Sequence, residues 1–225
     1  MDMKAMFPNL NIMWVRWSSY EVADWHGVRY LMPSPGAEPL TYNCAEQVET
    51  LVADAVELGR QIAEGTAELD RVCAAFAARH GLLGLETGKD AGLFSKGDVA
   101  PVYRSVNDKE YGEEPERFKA EMVALYQHFL STRGEAVVID TIPAITGGLS
   151  YKLTSGQTPQ LIWETDSLQC VLRLAYAAII TSPGTALKVC KNCGMVYHNP
   201  HAKSEFCSTK CRNYYNVKAF RERQQ

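Results

Sequence analysis

No run of this chain approaches the roughly 20 apolar residues that a helix needs to cross a bilayer. The opening stretch MDMKAMFPNLNIMWVRW also lacks the basic-then-apolar pattern and small-residue cleavage site of a secretory signal. Cytoplasm is therefore the expected location, with no membrane partner. Missing as well are G-x-S-x-G, G-x-G-x-x-G and H-E-x-x-H, and no nucleophile–base pair or glycine-rich phosphate loop precedes residue 186. The sequence predicts a protein that is not an enzyme. Internal repeats and low-complexity tracts are absent too. With 46% hydrophobic and 22% charged residues, disorder is excluded as the default. A chain of 225 residues suits one large domain, or a medium domain with a small module.

What is present is unevenly spread. Of seven cysteines, four crowd between positions 190 and 211, which is not how a secreted disulfide framework is laid out. Cys44, Cys73 and Cys170 stand alone in apolar surroundings and are expected to be buried, reduced thiols. The net charge of −3 conceals a second asymmetry: residues 186–225 carry +6 and the first 185 carry −9. A basic end on an acidic body suits a polyanionic partner, or docking of the tail on its own domain.

Two extended segments are expected early, LNIMWVRW and VRYLM, separated by a turn at Asp24–Gly27 and followed by a loop at Pro33, Pro35, Gly36 and Pro39. Asn43 is a candidate cap for a helix whose Val48, Leu51, Val52, Ala55, Leu58 and Ile62 recur at helical spacing. Thr66 is expected to cap a second helix, striped by Leu69, Val72, Cys73, Phe76 and Ala77 and ending at His80-Gly81. Residues 84–112 read as a long loop. A third helix covers Glu114 to Thr132, VVID is a short candidate strand, and a hairpin turns around Ser155-Gly156. Asp166 is the expected cap of the most apolar helix, SLQCVLRLAYAAIIT, placed at the domain's centre, with a hinge at Ser182-Pro183-Gly184. The fold class is α+β. It comprises a mainly helical N-terminal domain with β-hairpins over residues 1–183, and a small zinc knuckle with a helix over residues 186–225.

Chemistry concentrates at Cys190-x2-Cys193, then thirteen residues, then Cys207-x3-Cys211. One structural zinc ion needs four soft ligands at tetrahedral angles, and two cysteine pairs supply them. Gly194 permits the positive φ that a knuckle turn requires. Ser208 can cap a helix, which sets Cys207 before it and Cys211 in its first turn, facing the positive helix end. A redox dithiol would use one such pair and leave the other unexplained. His198 or His201 can substitute for one sulfur. Forty residues with few large apolar groups cannot bury a core alone, so zinc is expected to supply the missing stability.

Along STKCRNYYNVKAFRERQ, Arg212, Asn216 and Arg223 fall within about 40° of one another on a helix, and Lys210 and Arg221 form a second stripe. Val217 and Phe220 lie between and can pack, while Tyr214 and Tyr215 are expected against the knuckle. Lys210, Arg212, Asn213, Asn216, Lys218, Arg221 and Arg223 are the candidate contacts to nucleic acid, through phosphates or base edges.

These residues resemble the CGNR zinc finger: Cys-x2-Cys, an aromatic spacer, Phe-Cys-Ser, a further Cys with Asn, and a tail Phe-Arg-Glu-Arg. The likeness covers about the last 36 residues, and upstream there is the short run ARHGLLG. The signature tetrapeptide reads Cys211-Arg212-Asn213-Tyr214 here, and the second cysteine pair is spaced one residue closer than usual. The resemblance implies a ligand-sensing ABATE domain, a zinc finger on DNA, and a role as a stress-induced transcription regulator.

Upstream, Asp24-Trp25-His26 reads as an exposed turn. The run Glu110, Glu113, Glu114 and Glu116 reads as a solvated helix start. Trp14, Trp17, Tyr20, Trp25 and Tyr30 are dense enough to line a pocket for an unknown small molecule, with core packing as their ordinary use. Two functions besides the regulator remain open. One is a protein-interaction or homodimerisation module with a structural zinc. The other, ranked last, is a nuclease.

Overall fold

The computed structural model describes residues 12–25, 27–65, 68–84, 94–95, 112–135, 141–142, 149–155, 158–165, 167–182, 186–201 and 203–224. Strands β1 (Ile12–Trp17), β2 (Tyr20–Trp25), β3 (Val28–Pro33) and β4 (Pro39–Asn43) lead into a single 3-10 turn at Cys44–Glu46. Helices α1 (Val48–Ala63) and α2 (Leu69–His80) follow, then the two-residue strand β5 (Phe94–Ser95) and helix α3 (Pro115–Thr132). Next come the hairpin β6 (Leu149–Thr154) and β7 (Gln160–Thr165), and helix α4 (Leu168–Thr181). A second hairpin, β8 (Leu187–Val189) and β9 (Val196–His198), and helix α5 (Thr209–Glu222) complete the order. The class is α+β, as the sequence predicts.

Among the described residues the strands are antiparallel: β4-β1-β5 in one sheet, with three separate hairpins β2-β3, β6-β7 and β8-β9. Two strands depart from expectation. Residues 20–25 form β2, paired with β3 across the Gly27 turn, and the proline-rich loop gives way to β4, with Pro39 opposite Trp17. Proline is tolerated there because it opens an edge strand and owes no N–H to the ladder.

Helix α1 is the hub, packing along α3 and also on α2, α4 and β9. The central place expected for α4 belongs to α1. An apolar helix accepts burial, but how many neighbours it has depends on topology. At Gly59 the α3 backbone comes so close that an added Cβ would lie 2.1 Å from the Met122 carbonyl oxygen. Phe118, Met122, Leu125 and Phe129 form the buried face of α3, as the spacing predicts. A bidentate pair joins α3 to α4, with Arg173 donating from Nε to Glu121 at 2.6 Å and from its terminal nitrogen at 2.6 Å.

The expected caps shift. Asn43 caps the 3-10 turn, accepting from the Ala45 N–H at 3.1 Å, and α1 begins five residues later at Val48. Helix α2 opens on Glu68 in the left-handed region, φ 71°, with no side-chain cap. The expected cap Thr66 lies outside the described residues. Ser167 rather than Asp166 is the cap residue of α4, its Oγ accepting from the Cys170 N–H at 3.2 Å. Asp166 is outside the described residues, as are VVID, Gly156, most of 84–112, and Pro183-Gly184 of the expected hinge.

The early aromatics serve the core. Trp14, Trp17 and Tyr20 are buried, and Trp14 Nε1 donates to the Leu82 carbonyl at 3.1 Å. Cys44, Cys73 and Cys170 are buried, and burial pushes the first two thiols up to about 12 and about 11. Asp24 and Trp25 end strand β2 rather than form a turn, and Asp24 accepts from the Gly27 N–H at 2.9 Å; His26 lies outside the described residues. Glu113 differs from the solvated start expected of it. It is buried, bridges to Leu31 through both backbone groups, and its carboxylate accepts from Gly84. A side chain that satisfies a backbone N–H inside the fold gains more than one left in water.

Candidate metal centre

The second hairpin builds half of the site. Leu187, Lys188 and Val189 pair with His198, Tyr197 and Val196, and the chain between them makes the knuckle. Cys190 N–H donates to the Met195 carbonyl at 2.9 Å, and Gly194 N–H donates to the Cys190 carbonyl at 2.9 Å. Gly194 sits at φ 73°, the conformation its position called for. The other half is the start of α5. Ser208 is its N-cap, with Oγ accepting from the Cys211 N–H at 3.2 Å, so Cys207 precedes the helix and Cys211 lies in its first turn. A backbone bond from Lys191 N–H to the Glu205 carbonyl, 3.0 Å, joins the halves.

This brings all four predicted ligands together. The Sγ atoms of Cys190, Cys193, Cys207 and Cys211 lie within 4.8 Å of one another, a set that can hold a metal ion. The separations Cys193–Cys207, Cys207–Cys211 and Cys211–Cys193 are 3.8, 3.5 and 3.8 Å. Four sulfurs at about 2.3 Å from one ion, at tetrahedral angles, stand about 3.8 Å apart. A disulfide would bring two of them to about 2.05 Å. The donor set and spacing fit a single four-coordinate ion. His198, half-buried, and His201, exposed, are not members of the group. Burial holds the His198 pKa down against the opposing pull of Glu49.

The thiols also split electrostatically. At Cys190 burial raises the pKa, but the backbone N–H groups of Cys207, Cys193 and Asn192 outweigh it and bring the thiol down to about 6. At Cys211 the Ser208 hydroxyl is the largest influence, and it lowers the pKa. Burial raises Cys193, and it raises Cys207 to about 12. Four like groups this close cannot all ionise without a shared counter-charge.

The hairpin is not free-standing. Leu187 and Val196 belong to the core of the large domain, with Val189 packed against it. The expected boundary at 183–186 divides the sequence but not this core, so a metal ion would not be the hairpin's only support. The carboxylate of Glu57 on α1 accepts from the Val196 N–H at 2.8 Å. It also accepts from Arg60 at 2.9 and 2.7 Å and from Gln61 at 3.0 Å. Nothing local in the sequence marks Glu57, whose partner is 139 residues away.

Helix α5 is the opposite case, with no buried residue. Lys210, Arg212, Asn213, Asn216, Lys218, Arg221 and Arg223 are all exposed. Among the described residues, Lys218–Glu222 at 4.0 Å is the one ion pair on the helix. Val217 and Phe220, expected to pack, are 50% and 61% exposed. Of the two tyrosines expected on the knuckle, Tyr215 packs on Phe206 with ring centroids 5.3 Å apart, while Tyr214 is 66% exposed. Periodicity places apolar residues on a common face but cannot supply a surface for it to meet.

A second feature lies in the body. A cleft of about 310 Å³ between α1 and α2 is lined by Asp54, Glu57, Gln61 and Arg79 over Leu58, Val72 and Phe76. Asp54 pairs with Arg79 at 2.8 Å and with buried His80 at 2.8 Å. Trp14, Trp17, Tyr20 and Tyr30 are not among the residues lining this cleft. No described helix is long and apolar enough to cross a membrane. No protein-family model, curated protein or solved structure matches the chain.

Proposed function

We propose that the chain is a zinc-containing transcription regulator: one structural zinc ion on Cys190, Cys193, Cys207 and Cys211 holds α5 in place, and α5 contacts DNA. The observation that carries the DNA contact is the helix itself, which projects with its basic side chains exposed, and Lys210, Arg212, Arg221 and Arg223 unpaired with acids among the described residues. An α-helix fits the major groove of B-DNA, where arginine reads guanine and asparagine reads adenine. The +6 charge of residues 186–225 supplies attraction to phosphate. Zinc is supported by four soft thiolate donors at tetrahedral spacing, which leave no open position for water. The site would therefore be structural, and this reading assigns the chain no catalytic step. The resemblance to CGNR finger proteins agrees with it. On this reading a small polar ligand of the sensing domain would enter the cleft between α1 and α2, whose rim carries Asp54, Gln61 and Arg79.

The test is duplex binding followed by fluorescence anisotropy across a salt series, with metal content measured on the same sample. Binding that weakens steeply with salt supports the assignment. Unchanged affinity in the double variant Arg212→Ala, Arg221→Ala would overturn it.

A second reading has its own observation. Tyr214, Val217 and Phe220 are exposed on α5, which suits docking to a partner protein or a second copy. A chain that dimerises through these residues and ignores DNA would favour it.

A further inference from the structure

We infer that the knuckle hairpin is a structural wedge of the large domain, with Glu57 the positioning residue through which metal occupancy at the four cysteines controls the packing of α1. The inference rests on the metal in the reading above, not on DNA binding.

Strand β9 is an edge strand, and its Val196 N–H turns away from β8 towards α1. An edge N–H buried there without an acceptor would be costly. Glu57, only 9% exposed, supplies the acceptor at 2.8 Å while Arg60 and Gln61 hold its charge. Val196 lies three residues beyond Cys193, and the turn it leaves is closed by Cys190 N–H on the Met195 carbonyl. Two metal ligands thus stand on the two arms of the turn that Glu57 anchors.

The hairpin has only three residue pairs, too few to persist alone in water. The ion adds a clamp across its turn to the anchorage that Leu187, Val196 and Glu57 supply. Remove the ion, and four sulfurs within 4.8 Å lose their common counter-charge. As the hairpin opens, Leu187 and Val196 leave the core, and Glu57 loses its backbone donor. The effect then passes to α1, and from α1 to α3 across the Gly59–Met122 contact. The coupling is reciprocal, so whatever tightens α1 also tightens the metal site. Glu57 is also a wall of the α1–α2 cleft, so an occupant of that cleft would change metal affinity.

Hydrogen exchange on the full chain, metal-loaded and chelated, tests this, with bound metal quantified in parallel. Chelation is expected to raise exchange in peptides from 48–63 and 115–132 by on the order of tenfold or more. Glu57→Leu should lose the same protection with metal still bound, whereas Glu57→Gln should keep part of it, because an amide oxygen still accepts from Val196 while its NH2 cannot accept from Arg60 and Gln61. Chelation that frees only residues 186–224 and leaves α1 exchange unchanged overturns the coupling. A chain that takes up no metal overturns the metal reading together with it. If Glu57→Leu does not fold, chelation of the unaltered chain decides alone.

Discussion

The two arms of the C-terminal finger hold two sulfurs each, yet they live in opposite surroundings. The β8–β9 arm sends Leu187 and Val196 into the core of the large domain and is tied to Glu57. The α5 arm has no buried residue, and its Tyr215 packs on Phe206. One arm is anchored by the body and the other by the cysteine cluster. The first arm is packed into the body and the second is exposed, and the difference can be tested arm by arm.

The largest effect is expected at the cluster. Cys207→Ser with Cys211→Ser should abolish metal binding and melt α5, because a 14-residue helix without packing is marginal in water. Metal analysis and far-UV circular dichroism read both losses, and retained helix in a metal-free chain would mean that α5 has another anchor. Next in size, Leu187→Ala should destabilise the chain by about 2–5 kcal/mol in urea unfolding. Phe220→Ala should stay within about 0.5 kcal/mol. Equal costs would erase the distinction between the arms.

Arg212→Ala with Arg221→Ala should leave stability unchanged and lower the slope of log affinity against log salt by about 2, one contact for each arginine. A further small effect concerns the acidic body. Burial is the largest single influence on Asp70 and raises its pKa, but Arg29 and Lys119, with their hydrogen bonds and charges, together pull it below the ordinary value. A folded-state pKa below the unfolded one means stability present at neutral pH and lost as pH falls through the folded value. With Asp70 44% exposed, Asp70→Asn should cost under about 1 kcal/mol at pH 7. The two chains should converge in acid, below the usual aspartate range. A penalty that persists there would assign Asp70 a role other than ion pairing.

What was legible in the sequence is what local geometry determines. The ligand spacing, the Gly194 turn and the Ser208 cap each depend on residues within a few positions of one another, and each sits where its chemistry requires. The faces of α1, α2 and α3 were legible for the same reason, since burial follows the helical period. Strands β2 and β4 were hidden because their pairing partners and edge positions, rather than their composition, make them strands. Glu57 carries no signal among its sequence neighbours, because the backbone donor it serves lies 139 residues away on β9. Val217 and Phe220 erred in the other direction, since an amphipathic pattern does not guarantee a surface to meet it.

Gly59 has a mechanical consequence. It lies two residues from Glu57, so within less than one turn of α1 one face touches the backbone of α3 and another holds the hairpin. With no side chain at 59 to act as a compliant spacer, the two helices meet as hard surfaces there. Axial sliding of α3 would be passed through this turn of α1 to β9.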